Sequence, residues 1–239
     1  MSLREAWDRQ GPAWTTWART PGHDSFSHFH GEQFFSLLPP PGRLTVDLGA
    51  GEGRVARALR PRGYHIVEVE GSTYLARASA ELTHGCVVNA DVARLPLRDG
   101  VADLAIAFMS MQDVDEMPAA IAEAARILQA GGHLVMAIVH PINSAGAFEK
   151  AGPGEPEQNR RFVVEGSYFA EHNYADDIVR GGLPMRFESA HRPIESYSRA
   201  LEDAGFAIEA IRELGDPDPD DKWFRVPLFL DLRAVRSAR

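Results

Sequence analysis

The stretch Val46-Asp47-Leu48-Gly49-Ala50-Gly51-Glu52-Gly53-Arg54 decides how the rest of this chain is read. The residues LTVDLG (44–49) form a short buried strand, Arg54–Leu59 opens a helix, and three glycines at alternate positions stand between them. Glycine there permits a tight turn with no side chain in the way, and the helix start presents unpaired N–H groups to an anionic part of a ligand. Alone, the loop is equally a strand-to-helix turn that needs positive φ. Its surroundings say more. Glu70 closes the next strand (HIVEVE, 65–70), 17 positions after Gly53, where a carboxylate accepts both hydroxyls of a ribose. Asp91 closes a third strand (CVVNAD, 86–91) on the same sheet edge, placed to accept from an adenine amine, with a helix N-cap as its competing role.

The same alternation continues outward. Thr73–Leu82 is a helix, DLAIAFMS (103–110) a strand, Pro118–Leu128 a helix with Ile121, Ala124, Ala125 and Leu128 on one stripe, and HLVMAIV (133–139) a strand. Strands alternating with helices indicate a parallel sheet covered on both faces. After Pro141 the pattern lapses into a polar Pro/Gly loop (151–160) and two irregular strands, RFVVEGSYF and LPMRFESAH, flanking a Gly181-Gly182 turn. It resumes with a helix over Pro193–Ala204, strand 206–214, the acidic turn DPDPDD (216–221) and a last strand, 224–235. Upstream, residues 1–40 are aromatic- and histidine-rich; Gly31–Leu38 reads as a helix stopped by Pro39-Pro40-Pro41, and the whole segment as a loose helical arm.

With 239 residues, 44% apolar and 25% charged, the chain has the composition of one ordinary folded unit, neither disordered nor fibrous. The net charge of −9 counts against nucleic acid and anionic membranes as partners. The longest apolar run, Leu134–Val139, is six residues, far below the roughly 20 of a bilayer span. Residues 1–21 carry Trp7, Trp14 and Trp17 among polar residues and lack the apolar block of a signal peptide. Cys86, the only cysteine, forms no intrachain disulfide and suits a reducing, cytoplasmic setting. No metal site is expected: His23, His28 and His30 lack a carboxylate–histidine ligand pattern, and DPDPDD lacks EF-hand spacing.

From Arg43 to Val139 the chain resembles the class I S-adenosylmethionine-dependent methyltransferases, with weaker support at 193–235. VDLGAGEGR is similar to the family's first motif, E/D-x-G-x-G-x-G, and the run from Ala90 to Pro141 to its third to fifth strands, including the Leu95-Pro96 turn and the Gly131-Gly132 bend. The resemblance implies an α/β, doubly wound, seven-stranded Rossmann-like sheet, six strands parallel and the last antiparallel. Its parts are an N-terminal helical arm (1–40), a cofactor-binding core (41–140), a substrate lid inserted after the fifth strand (141–190) and the rest of the core (191–239). It further implies S-adenosylmethionine as cofactor and S-adenosylhomocysteine as product. Asp47, Gly49, Ala50, Gly51 and Gly53 would surround the methionine moiety, Glu70 with Gly71 the ribose, Asp91 with Val92 the adenine, and Phe108 would complete the cofactor contacts. Two departures stand out: Glu70 replaces the usual Asp, and Gln112-Asp113 replace a frequent His-His. A nicotinamide dehydrogenase fits less well, because the third glycine of its Gly-x-Gly-x-x-Gly is here Arg54.

Methyl transfer from a sulfonium is an in-line displacement that asks for alignment and exclusion of water, and for a base only when the nucleophile carries a proton. His140, after the fifth strand, and His191, before the next helix, are the expected bases, with His172 a weaker candidate. Gln112, Tyr168 and Tyr174 are the expected substrate contacts, and the insert's aromatics suit a lid over an apolar acceptor. Trp14 and Trp17 of the arm suit a sulfonium, since aromatic faces attract cations. The reading is methyl transfer to a small molecule through oxygen or nitrogen. An RNA or protein methyltransferase, a non-methylating enzyme of the same fold and a regulatory module with a degraded site stand as alternatives, and the oligomeric state stays open.

Overall fold

A computed structural model describes residues 2–150, 152, 154 and 156–237. In chain order the elements are α1 (Leu3–Arg19), a π-helical turn (Phe26–His30), α2 (Gly31–Phe35), β1 (Thr45–Leu48), α3 (Arg54–Leu59), β2 (Ile66–Glu70), α4 (Thr73–Thr83), β3 (Cys86–Asn89), β4 (Ala102–Phe108), α5 (Met117–Ile127) and β5 (Leu128–Val139). Then come α6 (Pro141–Ser144), β6 (Gly146–Phe148), β7 (Phe162–Val164), β8 (His172–Arg180), β9 (Leu183–His191), α7 (Ile194–Asp203), β10 (Phe206–Leu214) and β11 (Phe229–Arg236).

Seven strands form one sheet in the order β10-β11-β5-β4-β1-β2-β3, with β11 antiparallel to both of its neighbours and the other six parallel, as expected. Period-two alternation along β4 shows how the sheet is covered. Ala105 and Ala107 face a core with Met117, Ile121 and Leu201 from α5 and α7, while Leu104, Ile106 and Phe108 face one with Phe34 of α2 and Val55 and Leu59 of α3. Burial on both faces explains why β1, β4 and β5 read as near-continuous apolar runs. All the parallel strands therefore end on one edge, where the glycine loop lies.

The arm is not loose. Ser2 and Glu5 form a reciprocal capping box at the start of α1, and Gly11 lets the helix approach α4 so closely that a Cβ there would stand 2.6 Å from Tyr74. Polar ties fix it along its length: the Leu3 amide donates to Asp115 at 3.1 Å, Ser72 to Asp8 at 2.7 Å, and Arg19 to Glu52 at 2.9 Å. The helix expected over Gly31–Leu38 ends at Phe35 and follows directly on the π-helical turn. That turn delivers His30 to a fully buried position, stacked on Phe229 with ring centroids 4.2 Å apart and bonded through Nε2 to Asp231 at 2.8 Å.

The insert differs from expectation. The Gly181-Gly182 turn joins β8 and β9 in a hairpin, both glycines having positive φ as two-residue hairpin turns demand. β8 is HNYADDIVR, which the sequence did not mark, and the RFVVEGSYF segment contributes only β7, paired with β6. Both faces of β8 are largely exposed, so it has no apolar alternation to read. Residues 151, 153 and 155 of the Pro/Gly loop lie outside the described residues. The last strand starts at Phe229 rather than 224, behind a 3-10 turn at Lys222–Phe224 and Pro227, which has no N–H to donate to a sheet. No helix is long and apolar enough to cross a membrane among the described residues.

Burial of the His30–Asp231 pair ties the arm to β11. Asp231→Ala leaves His30 without its partner and is expected to lower unfolding free energy by about 1–3 kcal/mol, measured by urea unfolding; an unchanged midpoint would show that the arm is held without it.

Candidate functional site

The carboxyl edge of β1, β2 and β4 opens into a cavity of about 870 Å³, walled on its outer side by α1, the loop that follows it, and the β8–β9 hairpin. The glycine loop forms its floor. Gly51 is left-handed with φ +60°, and a Cβ there would point at Trp14, 3.4 Å from Nε1. Gly53, with φ +85°, caps α3 outside the cavity; a Cβ on it would strike Ser79, Thr83 and Glu68. The loop is held by Glu70, whose Oε2 accepts from the Gly51 amide and Oε1 from the Ser72 amide, each at 2.7 Å. Burial raises the Glu70 carboxyl above its ordinary range against the pull of these amides.

Asp47 lies behind the loop, buried, with no hydrogen-bond partner for Oδ2. Burial first, then Glu68 and Glu70, push its carboxyl well above the usual value, with Arg60 opposing. Arg54, just past the loop, contacts Asp24 and stacks on Trp14, Phe26 and Phe108, with its guanidinium carbon 4.8, 5.0 and 5.4 Å from the ring centroids. Burial and Arg57 press the guanidinium down to about 9; the Asp24 carboxylate acts the other way.

The opposite end of the cavity is built from distant segments. Trp7 and Trp14, one face of α1, stand at 84° to each other with centroids 5.7 Å apart, and Phe187 of β9 meets both edge-on at 6.4 and 6.0 Å. Beside this corner lies Asp113, at the end of the 3-10 turn after β4, accepting from Ser189 Oγ at 2.6 Å. Burial raises Asp113 to about 8, against the hydrogen bond from Ser189, the nearby Trp7 indole and the charge of Arg192, with Glu70 pushing further upward. Tyr174 is raised by burial, then by Asp113 and Asp176; Tyr197, also facing Asp113, is pushed by burial up to about 12. Met109, left-handed at φ +56°, and Gln112, whose buried Oε1 has no partner, complete the β4 end.

The cavity brings together Asp47, Gly49, Ala50, Gly51, Glu70, Gly71, Asp91, Val92, Phe108, Gln112 and Tyr174. Asp91 also accepts from the Ala93 amide at 2.9 Å in the turn after β3, which is not the helix N-cap foreseen for it. The structure does not bring His140, His191 or Tyr168 there. His140 caps α6 through Nδ1 and donates from Nε2 to Glu213 at 2.9 Å, and burial lowers its pKa. His191 is bonded to Ser144 Oγ at Nδ1 and to the Tyr168 carbonyl at Nε2, while the Tyr168 hydroxyl accepts from the Ile194 amide. Both rings are buried with both nitrogens engaged, which leaves neither free to take a substrate's proton. His172, the weaker candidate, is exposed at the start of β8, also outside the cavity. Sequence reasoning missed Trp7, Asp24, Arg54, Asp113, Asp176 and Ser189. Only the seven-residue interval between Trp7 and Trp14, one helix face, and the Gln112-Asp113 departure offered a signal.

Residues 46–136 match the family model of the methyltransferase domain. A malonyl-[acyl-carrier protein] O-methyltransferase of Pectobacterium atrosepticum is 29% identical over 141 residues, 56% of this chain and 55% of that protein. An uncharacterized 37.1 kDa protein of a Streptomyces fradiae transposon is 28% identical over 183 residues, 72% of this chain and 45% of that protein. The chain thus spans about half the length of the curated relatives it matches. In fold it is similar to an S-adenosylmethionine-dependent methyltransferase of Mesorhizobium loti, with a TM-score of 0.70 and 23% identity over 86% of this chain and 96% of that one. Residues 46–136 are thus similar to the methyltransferase domain, and the fold is shared with solved S-adenosylmethionine-dependent methyltransferases.

The raised Asp113 pKa has a consequence for stability. Between about pH 4 and 8 the folded protein keeps a proton that the unfolded chain has released, so this group's contribution is lost as pH rises. Asp113→Asn removes that dependence and keeps the shape; its melting temperature is expected to fall less than the wild type's between pH 5 and 8. Parallel pH profiles would mean that Asp113 ionises freely. His140→Ala is expected to cost about 1 kcal/mol, as loss of an N-cap, with no change in the pH dependence of turnover.

Proposed function

We propose that this protein transfers a methyl group from S-adenosylmethionine to a small-molecule acceptor, at nitrogen or oxygen, with the arm and the insert 141–190 forming the acceptor chamber and its lid. The observation that carries this reading is the single cavity running from the glycine loop and Glu70 to the aromatic corner of Trp7, Trp14 and Phe187. Its volume is within the ~300–1,000 Å³ of small-ligand sites. Among the described residues, eleven acidic side chains line it against three arginines, an excess that opposes a phosphate backbone. The residues present suit the sulfonium donor: the unpartnered Asp47 oxygen and the Glu70 carboxyl offer hydrogen-bond acceptors, and the backbone at Gly51 leaves space, where the ligand needs them. Asp47, Gly49, Ala50 and Gly51 would hold the methionine moiety, Glu70 and Gly71 the ribose, Asp91 and Val92 the adenine.

When bound, the cofactor supplies an activated methyl group: the acceptor's lone pair bonds to the carbon as the C–S bond breaks, its electron pair remaining on sulfur as a neutral thioether. The chain's own part is to align and to dry. Trp7, Trp14 and Phe187 exclude water over the loop, and fixed geometry of this kind contributes up to ~7–11 kcal/mol to such reactions. A single cysteine fits a reducing, cytoplasmic setting.

Calorimetric titration is expected to show micromolar binding of S-adenosylmethionine and S-adenosylhomocysteine and none of NAD(H). Failure of the first two to bind folded protein reduces the reading to fold alone. Gly51→Val, which puts a branched side chain at φ +60° beneath Trp14, should abolish that binding. Glu70→Ala should weaken it by ~1.5–3 kcal/mol, the worth of hydrogen bonds to a charged group; a loss within error would free Glu70 from the site. Formation of S-adenosylhomocysteine separates transfer from non-methylating chemistry on the same fold.

A further inference from the structure

We infer that the acceptor is an amine that enters protonated, is held against Asp113 beneath the Trp7–Trp14–Phe187 corner, and gives its proton to the Asp113 carboxylate before it is methylated. This rests on the methyl-transfer reading and adds the substrate class and the base.

Three observations carry it. First, the acceptor end combines a carboxylate with aromatic faces set almost at right angles, 84° between Trp7 and Trp14, an arrangement that attracts cations once they are desolvated. Trp14 already serves this way for the protein's own Arg54, whose guanidinium carbon lies 4.8 Å from its ring. Second, no cation at this end offsets the carboxyl directly. Arg192 turns its guanidinium to the carbonyls of Met111, Val114 and Asp115, and Asp113 receives neutral hydrogen bonds from Ser189 at 2.6 Å and, weakly, from Gln112 at 3.4 Å. Third, Tyr174 and Asp176 line the same cavity, and burial together with Asp113 and Asp176 holds the Tyr174 phenol far from ionising. A phenol or alcohol acceptor would have to become more anionic in surroundings that already oppose an anion. An ammonium becomes neutral.

The proton balance is simple. One N–H bond of the ammonium breaks and one O–H bond forms on Asp113, so a cation and an anion become a neutral amine and a neutral acid with no other reactant. Burial brings the acid, at about 8, close to the roughly 10 of an alkyl ammonium, whereas an ordinary carboxylate would be too weak a base. The groups facing Asp113 are Trp7 from α1, Glu70 from β2, Tyr174 from β8, Ser189 and Arg192 from β9 and just after it, and Tyr197 from α7. Of the charged ones, Glu70 favours keeping the proton and Arg192 opposes it.

The test uses the full chain saturated with S-adenosylhomocysteine, titrated at pH 7 with 2-phenylethylamine, 2-phenylethanol and phenylacetate, which share a ring and differ in charge. The amine is expected to bind at least tenfold more tightly than the other two, and Asp113→Asn to reduce that preference below twofold. Calorimetry in buffers of different ionisation enthalpy tests the wild type without a substitution. Amine binding is expected to release close to one proton, because ammonium and protonated Asp113 together retain only one between them, whereas the alcohol releases none. Equal or weaker amine binding, no binding of any probe to protein that holds S-adenosylhomocysteine, or amine binding without proton release overturns the inference and leaves the methyl-transfer reading intact. Failure to bind S-adenosylhomocysteine is the separate failure of that reading.

Discussion

One buried carboxylate sets the geometry on which the site depends. Glu70, at the end of β2, accepts from the amides of Gly51 and Ser72 at 2.7 Å each, joining the glycine loop after β1 to the start of α4. Without that bridge the loop has few side chains to hold it, since glycines at its turning points leave backbone alone to define its path. Around it the loop's other neighbours are acidic and fixed. Glu52 is gripped by Arg19 and Arg57, and Glu68 by Arg60 and Ser79. Of these acids around the loop, Asp47 keeps a buried oxygen without a partner. The paired acids hold the fold; the unpaired one, in the cavity wall, meets the cost of its burial by favouring the neutral form.

The arm contributes to stability and to the site by the same contacts. Its Leu3, Asp8 and Arg19 ties anchor it to the loop after β4, to α4 and to the glycine loop, and its opposite face turns Trp7 and Trp14 into the cavity. The hairpin meets it there: Phe187 packs edge-on against three indoles, including Trp17 at 5.9 Å, and Arg9 reaches Glu188 at 3.0 Å.

How much of this was legible follows from range in sequence. The sheet was readable because each parallel strand is buried on both faces and announces itself as an apolar run between turn residues. The glycine-loop end of the cavity was readable because it is built at strand ends, where position along the chain dictates position in space: Gly51, Glu70 and Asp91 fall on one edge from strand boundaries alone. The acceptor half was not. Its walls come from residues 7, 14, 113, 174, 187 and 189, brought together by packing that no local pattern encodes, and β8 lacks even the alternation of a half-buried strand. The two histidines misled for a related reason. A histidine after a strand looks poised for chemistry, yet His140 was recruited to cap α6 and His191 to tie β9 to Ser144 and Tyr168, partners 47 and 23 residues away. Asp113 was visible only as a departure from a familiar pair, and its environment, not its identity, raises its pKa.

Charge also orders the events in such a chamber. A sulfonium and an ammonium brought together repel; at 4 Å and an effective dielectric constant near 20 the repulsion is about 4 kcal/mol, a large fraction of what alignment provides. In the proposed transfer the acidic lining would draw both cations in but would not remove their mutual repulsion at the reacting atoms. Transfer of the ammonium proton to Asp113 does, because the nucleophile that then approaches the methyl group is neutral and carries a lone pair. The new positive charge appears only as the sulfonium loses its own, so the total carried by donor and acceptor is constant through the displacement. A carboxyl whose burial makes it reluctant to stay charged suits this sequence: ionised, it attracts the ammonium; protonated, it rests in the low-dielectric state that its surroundings prefer.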